Sequence, residues 1–165
     1  MTRVYVIGFM GTGKTAAGKI LEAKMDIEEL DERFVTQKGM SISQFFDTYG
    51  ESAFRDEETK LLKQADLPVV ITGGGIINRL ENRQWMKANG TVVWIDTPFD
   101  VLWERIRDDS RRPLVSSKEE TESLFRQREN LYRETADVVL DGRLSPQYLA
   151  KQIERLAEGN QFGLD

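Results

Sequence analysis

The sequence contains no cysteine and no histidine, and these absences exclude whole classes of chemistry. There are no disulfides, no zinc sites, no thiol nucleophiles, no imidazole bases and no Ser-His-Asp triad, which leaves carboxylates, lysine, arginine, hydroxyls and backbone amides. Any metal must be a hard, oxygen-loving one. No apolar run approaches the roughly 18 residues that span a bilayer, and the chain enters a strand-like stretch at once without a signal-peptide pattern. No membrane partner and a cytoplasmic location are therefore expected. Basic side chains are the minority, 23 against 28 acidic, for a net charge of −5, which argues against a nucleic-acid partner. Repeats, low-complexity segments and Gly/Ser linkers are missing too. At about 150 residues per domain, a chain of 165 residues is expected to form one domain over 1–158, followed by a loose tail at 159–165.

Short, β-branched apolar runs predict buried strands over Arg3 to Ile7, Pro68 to Thr72, Thr91 to Ile95 and Asp137 to Leu140. A fifth strand is expected near Ile27 to Asp31, where apolar content is thin. Between these lie helical patterns. Thr15 to Lys24 has apolar spacing, Ser41 is placed to cap a short helix holding Phe45 and Phe46, and Gly50 ends it. Glu51 to Ala65 carries a stripe of Phe54, Leu61, Leu62 and Ala65. Gly90 closes Arg79 to Asn89, while Pro98 and Pro146 each fit the first position of a helix. Strands alternating with helices predict a parallel sheet covered on both faces.

Gly8-Phe9-Met10-Gly11-Thr12-Gly13-Lys14-Thr15 fits G-x-x-x-x-G-K-[ST], directly after the first strand and directly before a helical pattern. Glycines at Gly11 and Gly13 let the amides of the loop, Thr12 among them, turn toward phosphate oxygens. Lys14 reaches the β and γ phosphates and the Thr15 hydroxyl completes a Mg²⁺ shell. The plainer reading is a Gly-rich turn with a solvent lysine, but it leaves the coincidence of strand, spacing, Lys-Thr pair and helix unexplained. No asparagine is followed by lysine, so a guanine-reading N-K-x-D motif is absent. A small-molecule kinase is the expected class.

Gly73-Gly74-Gly75 follows a strand at the carboxyl edge where open parallel sheets bind ligands; a tight turn and a close ligand approach both remain open. Arg55, in the first turn of its expected helix, opposes the helix dipole, which hints at a role beyond the helix. Arg105, Arg111, Arg112, Arg126 and Arg128 concentrate basic charge, either as a solvated face paired with Glu119, Glu120 and Glu122 or as phosphate partners. Residues 108–117 form a charged connection expected to act as a lid, with Arg112 positioned to stabilise a transferring phosphoryl group. Trp94 and Trp103 are expected to pack, and Asp96 is left outside the site.

In these motifs the chain resembles the shikimate kinase family. I-G-F-M-G-T-G-K-T, G-M-S-I-S-Q-F-F, G-E-S-A-F-R-D-E-E, T-G-G-G-I, R-R-P-L and R-E-N-L-Y follow in that family's order, to about Leu156. The resemblance implies an α/β P-loop kinase fold, a five-stranded parallel sheet of order 2-3-1-4-5 with helices on both faces. It also implies transfer of the ATP γ-phosphate to the 3-hydroxyl of shikimate, with ATP and Mg²⁺ as cofactors and a monomer as the expected state. By the resemblance, Lys14 and Thr15 hold phosphates and Mg²⁺, and Asp31 meets the reacting hydroxyl. Arg55 and Arg128 hold the shikimate carboxylate, Gly73, Gly74 and Gly75 contact ring substituents, and Phe46 and Phe54 form apolar walls. Arg112 is the lid arginine, and Arg105 and Pro146 sandwich adenine.

The chain departs from the family in two places. The segment from Gly18 to Asp31 is slightly short, and the family's D-x-D becomes Glu29-Leu30-Asp31, with Glu29 in place of the aspartate that helps hold Mg²⁺. A kinase for another small acceptor such as gluconate, or a non-catalytic nucleotide-binding relative, are the competing readings. Arg55 and Arg128 favour a carboxylate acceptor, and intact Lys14, Thr15, Asp31 and Arg112 favour catalysis.

Overall fold

The structure is a computed structural model describing residues 2–107 and 117–159. The expected lid up to residue 116, including Arg112, and residues 160–165 of the expected tail lie outside the described residues.

Five parallel strands form one sheet in the order β2 (Ile27–Glu29), β3 (Val69–Ile71), β1 (Val4–Ile7), β4 (Thr91–Asp96), β5 (Val138–Asp141). In register, Val4 lies beside Val69 and Thr91, and Val6 beside Ile71 and Val93. Because side chains alternate across a strand, the same short runs feed two cores. Tyr5, Ile7, Val70, Val92 and Trp94 face one side; Val4, Val6, Val69, Ile71, Val93 and Ile95 face the other. This two-sided demand explains why the strands are continuously apolar.

Helices α1 (Lys14–Leu21) and α8 (Pro146–Ala157) cover the second face, inserting Ala17, Leu21, Leu149 and Ile153. On the opposite face lie α4 (Glu51–Gln64), α5 (Leu80–Asn89), α6 (Phe99–Ile106) and α7 (Lys118–Thr135). Two shorter helices, α2 (Leu30–Lys38) and α3 (Ile42–Tyr49), join that core through Phe34 and Phe45. Phe34 meets Phe45 and Phe54 edge-on, each at 5.0 Å between ring centres. Such pairs add about 0.5–1.5 kcal/mol beyond area burial. Truncating a fully buried Ile7 to Ala would cost about 2–5 kcal/mol.

Local signals account for several element ends. Ser41 and Gln44 form a reciprocal capping box at α3, and Ser145 caps α8 with Pro146 at its first turn. Three expectations need correction. Pro98 is the N-cap of α6 rather than its first helical residue, since its extended backbone finishes the turn out of β4. Arg55 stands just past the first turn of α4, which begins at Glu51. The stretch near Ile27 to Asp31 is strand only to Glu29, and α2 begins at Leu30. A thin apolar segment suffices there because, among the described residues, β2 is an edge strand paired only with β3. Asp31 therefore sits in the first turn of a helix at the carboxyl edge of the sheet. No helix among the described residues is long and apolar enough to cross a membrane.

Candidate active site

All loops that leave the carboxyl ends of β1, β2, β3 and β5 converge on two adjoining cavities. One, of about 600 Å³, is lined by the Gly11–Thr15 stretch together with Glu29, Asp31, Thr72, Arg105, Gly142 and Pro146. The other, of about 710 Å³, is lined by Asp31, Phe46, Phe54, Arg55, Glu58, Arg128 and the Gly73–Gly75 turn. Met10, Asp31, Gly73 and Gly74 belong to both, so a group leaving one cavity arrives in the other past Asp31.

The smaller cavity is a backbone cradle. Gly11 and Gly13 have φ of 81° and 107°, conformations in which a Cβ is strained, and they curl the loop at the start of α1; contrary to the expectation for its amide, the Thr12 N–H is taken up within the loop by the Phe9 carbonyl at 3.2 Å. The cradle is fastened from behind. Thr12 Oγ1 donates to the Ile95 carbonyl at 2.7 Å and lies 2.7 Å from the Thr97 hydroxyl, both interactions buried. Arg105 donates to the Gly11 and Gly142 carbonyls, each at 3.0 Å, tying the loop to the turn that precedes Pro146. Lys14 Nζ donates to the Gly8 carbonyl, curling back over the loop whose phosphate it would meet.

At the rim, Thr15 Oγ1 donates to Glu29 Oε1 at 2.8 Å. Burial pushes the Glu29 carboxyl above its ordinary range, opposed by that hydrogen bond. The hydroxyl-carboxylate pair is an all-oxygen donor set. Among the described residues no group of three or more His, Cys, Asp or Glu could cage a metal ion. Few protein ligands suit Mg²⁺, which keeps its waters and binds through one or two carboxylates plus phosphates. Desolvation also raises the Asp31 carboxyl, while Lys14 and Arg55 pull it down.

The larger cavity is built from buried charges. Arg55 is 8% and Arg128 4% exposed, values rarely met by arginine unless it is paired. Arg55 donates to Glu58 at 3.0 Å and to Glu51 at 3.4 Å. Its guanidinium stands 5.1 Å from the Phe54 ring centre, and that of Arg128 5.8 Å from Phe9. Phe46 packs on Phe54 at 5.0 Å, so the two rings form one apolar wall. Burial raises the Glu58 carboxyl, with Arg55 opposing. Burial also lowers the Arg128 guanidinium from its ordinary value.

The glycine turn is where it is because nothing larger fits. A Cβ on Gly75 would lie 2.5 Å from Cζ and Nη2 of Arg55. One on Gly73 would lie 2.9 Å from Asp31 and 3.0 Å from Glu58, and one on Gly74 3.3 Å from Arg128. The tight-turn and ligand-approach readings of this triplet thus become one: the turn lets four charged side chains close on the cavity.

Every described residue expected at the site lines one of the two cavities. The arginine concentration, by contrast, divides. Arg126 pairs with Glu122 and Glu129 on the surface of α7, Arg105 fastens the loop, and of the three described arginines only Arg128 faces the larger cavity. Asp96 lines neither cavity. Sequence reasoning passed over Glu58 and Tyr132. Glu58 falls four residues after Phe54 on the apolar stripe of its helix, and a charge on such a stripe is the signal that could have found it. Tyr132 follows Arg128 by one helical turn on α7.

A parallel sheet with this strand order, a phosphate-binding loop between β1 and α1, and an acceptor cavity across Asp31 define a P-loop phosphotransferase. The family model described as "Shikimate kinase" matches residues 10–158. Shikimate kinase of Aquifex aeolicus (strain VF5) is 37% identical, with 98% of this chain and 99% of that protein aligned. The solved structure of shikimate kinase from Acinetobacter baumannii in complex with shikimate superposes with a TM-score of 0.87 at 30% identity, covering 99% of this chain and 96% of that one. The crystal structure of the Aquifex aeolicus enzyme gives 0.82 at 36% identity, covering 98% and 99%. The chain belongs to the shikimate kinase family.

Proposed function

We propose that this chain is a shikimate kinase that moves the γ-phosphate of ATP from the smaller cavity to the 3-hydroxyl of shikimate held in the larger one. The observation that carries this reading is the junction. Asp31 stands between a backbone phosphate cradle on one side and two buried arginines on the other.

Shikimate is a small carboxylate with three hydroxyls. Forked guanidinium groups suit its carboxylate, and Arg55 and Arg128 supply two. Phe46 and Phe54 cover the ring, the Gly73–Gly75 backbone meets its substituents, and Asp31 accepts a hydrogen bond from the reacting hydroxyl. The hydroxyl becomes acidic as its oxygen bonds to phosphorus, and Asp31 takes the proton late in the transfer. Phosphoryl transfer rests on positioning and electrostatics rather than covalent catalysis, so a protein without histidine is fully equipped. The Gly11, Gly13, Lys14 and Thr15 amides and the Lys14 ammonium hold the phosphates, Thr12 braces the loop through its side chain, Arg105 and Pro146 flank adenine, and Arg112, outside the described residues, is assigned to the charge on the transferring group. Thr15 and Glu29 would hold Mg²⁺, which when bound neutralises phosphate charge. Glu29 reaches the Thr15 hydroxyl from its strand, so despite the change from aspartate its carboxylate would be available to the ion together with that hydroxyl. A cytoplasmic monomer is part of the same proposal.

The test is a coupled assay of ADP release. Release should depend on shikimate and not on gluconate, nucleoside monophosphates or pantothenate. Equal stimulation by gluconate would assign the larger cavity to a different acceptor.

A further inference from the structure

Tyr132 is fully buried, and its ring stacks on Trp94 with centres 5.9 Å apart and planes inclined by 22°. Its hydroxyl donates to the Gly74 carbonyl at 2.5 Å. Burial holds the phenol far above its ordinary pKa, with Arg128 beside it opposing, so the hydroxyl remains a donor at any working pH. Tyr132 does not line the acceptor cavity, whereas Gly74 and Gly75 do. The Gly74 carbonyl is therefore drawn out of the cavity wall toward α7.

The consequence follows from peptide geometry. The Gly74–Gly75 peptide is trans, like every peptide bond of the described chain, and in a planar trans unit the N–H points opposite to the C=O. Fixing the Gly74 carbonyl toward α7 turns the Gly75 N–H away from α7. Among the described residues, neither the Gly74 nor the Gly75 N–H donates to another backbone group, although the neighbouring Ile76 N–H does, to Gly73. An amide in a cavity wall that has no backbone acceptor is a donor that an oxygen of a bound molecule can satisfy. Two glycines in succession do not hold such an orientation by themselves, because glycine populates both signs of φ about equally.

We propose that Tyr132 is a positioning residue that locks the Gly74–Gly75 peptide so that the Gly75 N–H faces the bound acceptor. The inference rests on the shikimate kinase reading above. One helix then serves the acceptor twice, through Arg128 directly and, one turn later, through Tyr132 acting on the glycine turn. Tyr132 acts without touching substrate.

Tyr132→Phe keeps the ring and its stacking and removes the hydroxyl, and with it both the donor to Gly74 and a polar neighbour of Arg128, so the Gly75 amide is followed in the variant alongside the KM values. The KM for shikimate should rise about five- to tenfold, the ordinary worth of one hydrogen bond, while the KM for ATP stays within about twofold. An unchanged KM for shikimate overturns the proposal. So does an equal rise in both KM values, which marks general loosening of the structure. A second measurement needs no variant. In the wild-type protein, adding shikimate should shift the Gly75 amide resonance and slow its hydrogen exchange, and an amide indifferent to shikimate overturns the proposal even if Tyr132→Phe fails to fold. Wild-type protein without shikimate-dependent turnover overturns the proposed function, and this inference with it. Wild-type turnover beside an unaltered Tyr132→Phe variant overturns this inference alone.

Discussion

The two cavities that share Asp31, Gly73 and Gly74 are built by different means for the ligands proposed for them. The phosphate side uses neighbours in sequence: loop amides, a lysine and a threonine within eight consecutive residues, braced by Thr12, Thr97 and Arg105 from behind. The acceptor side gathers Asp31 from α2, Arg55 and Glu58 from α4, the turn after β3, and Arg128 and Tyr132 from α7. Backbone amides carry no net charge and cost little to hold near an empty site. Buried guanidinium and carboxylate groups carry a desolvation cost that only mutual pairing offsets, and this is why Arg55 and Glu58 occur together. A cradle of amides suits any phosphate, whereas a charge-matched pocket suits one shape of anion. Generality is therefore expected on the nucleotide side and selectivity on the acceptor side.

The largest effect that would probe this division is Lys14→Ala. Loss of a charge aimed at the transferring group should lower kcat by about 10²–10³-fold while leaving the KM for shikimate nearly unchanged, as steady-state kinetics with each substrate varied would show. A parallel collapse of shikimate binding would mean that the two sides are not separable. A smaller effect is expected within the glycine turn. Gly75→Ala places a Cβ 2.5 Å from Cζ of Arg55, whereas Gly74→Ala meets Arg128 at 3.3 Å. The first should raise the KM for shikimate about tenfold or more by displacing a charge-assisted partner, and the second by less. The reverse order would show that backbone freedom rather than side-chain clearance keeps glycine there.

The smallest effect concerns pH. The folded protein holds the Glu58 carboxyl above its ordinary value of 4.5, so above that pH the unfolded chain has released a proton the folded chain retains. Stability then falls as pH rises from about that value, until pH passes the raised folded pKa. Asp31 contributes with the same sign. Glu58→Gln should flatten the fall, measured as urea unfolding midpoints across pH 4 to 8. Parallel curves for the two proteins would remove Glu58 from the electrostatics of the pocket.

How much of this was legible in the sequence differs between the same two regions. The phosphate loop could be read directly, because its function is set by the dihedral freedom of Gly11 and Gly13 and by Lys14 and Thr15 at adjacent positions, all local properties. The strands around it were equally legible, since their two-faced burial leaves a continuous apolar run; only the edge strand β2 was faint. Arg55, Arg128 and the glycine triplet were assigned through their likeness to a family, as nothing in their spacing says that they meet. Glu58 and Tyr132 went unassigned for the same reason. By itself, then, the sequence determined which chemistry was possible, through the absence of cysteine and histidine, and where phosphate would bind. The tertiary structure decided where the acceptor's charge would be met and which glycine amide would face it. Those contacts join residues as far apart as Gly74 and Tyr132, and the energy of burying and pairing a charge exists only once the surrounding elements have excluded water.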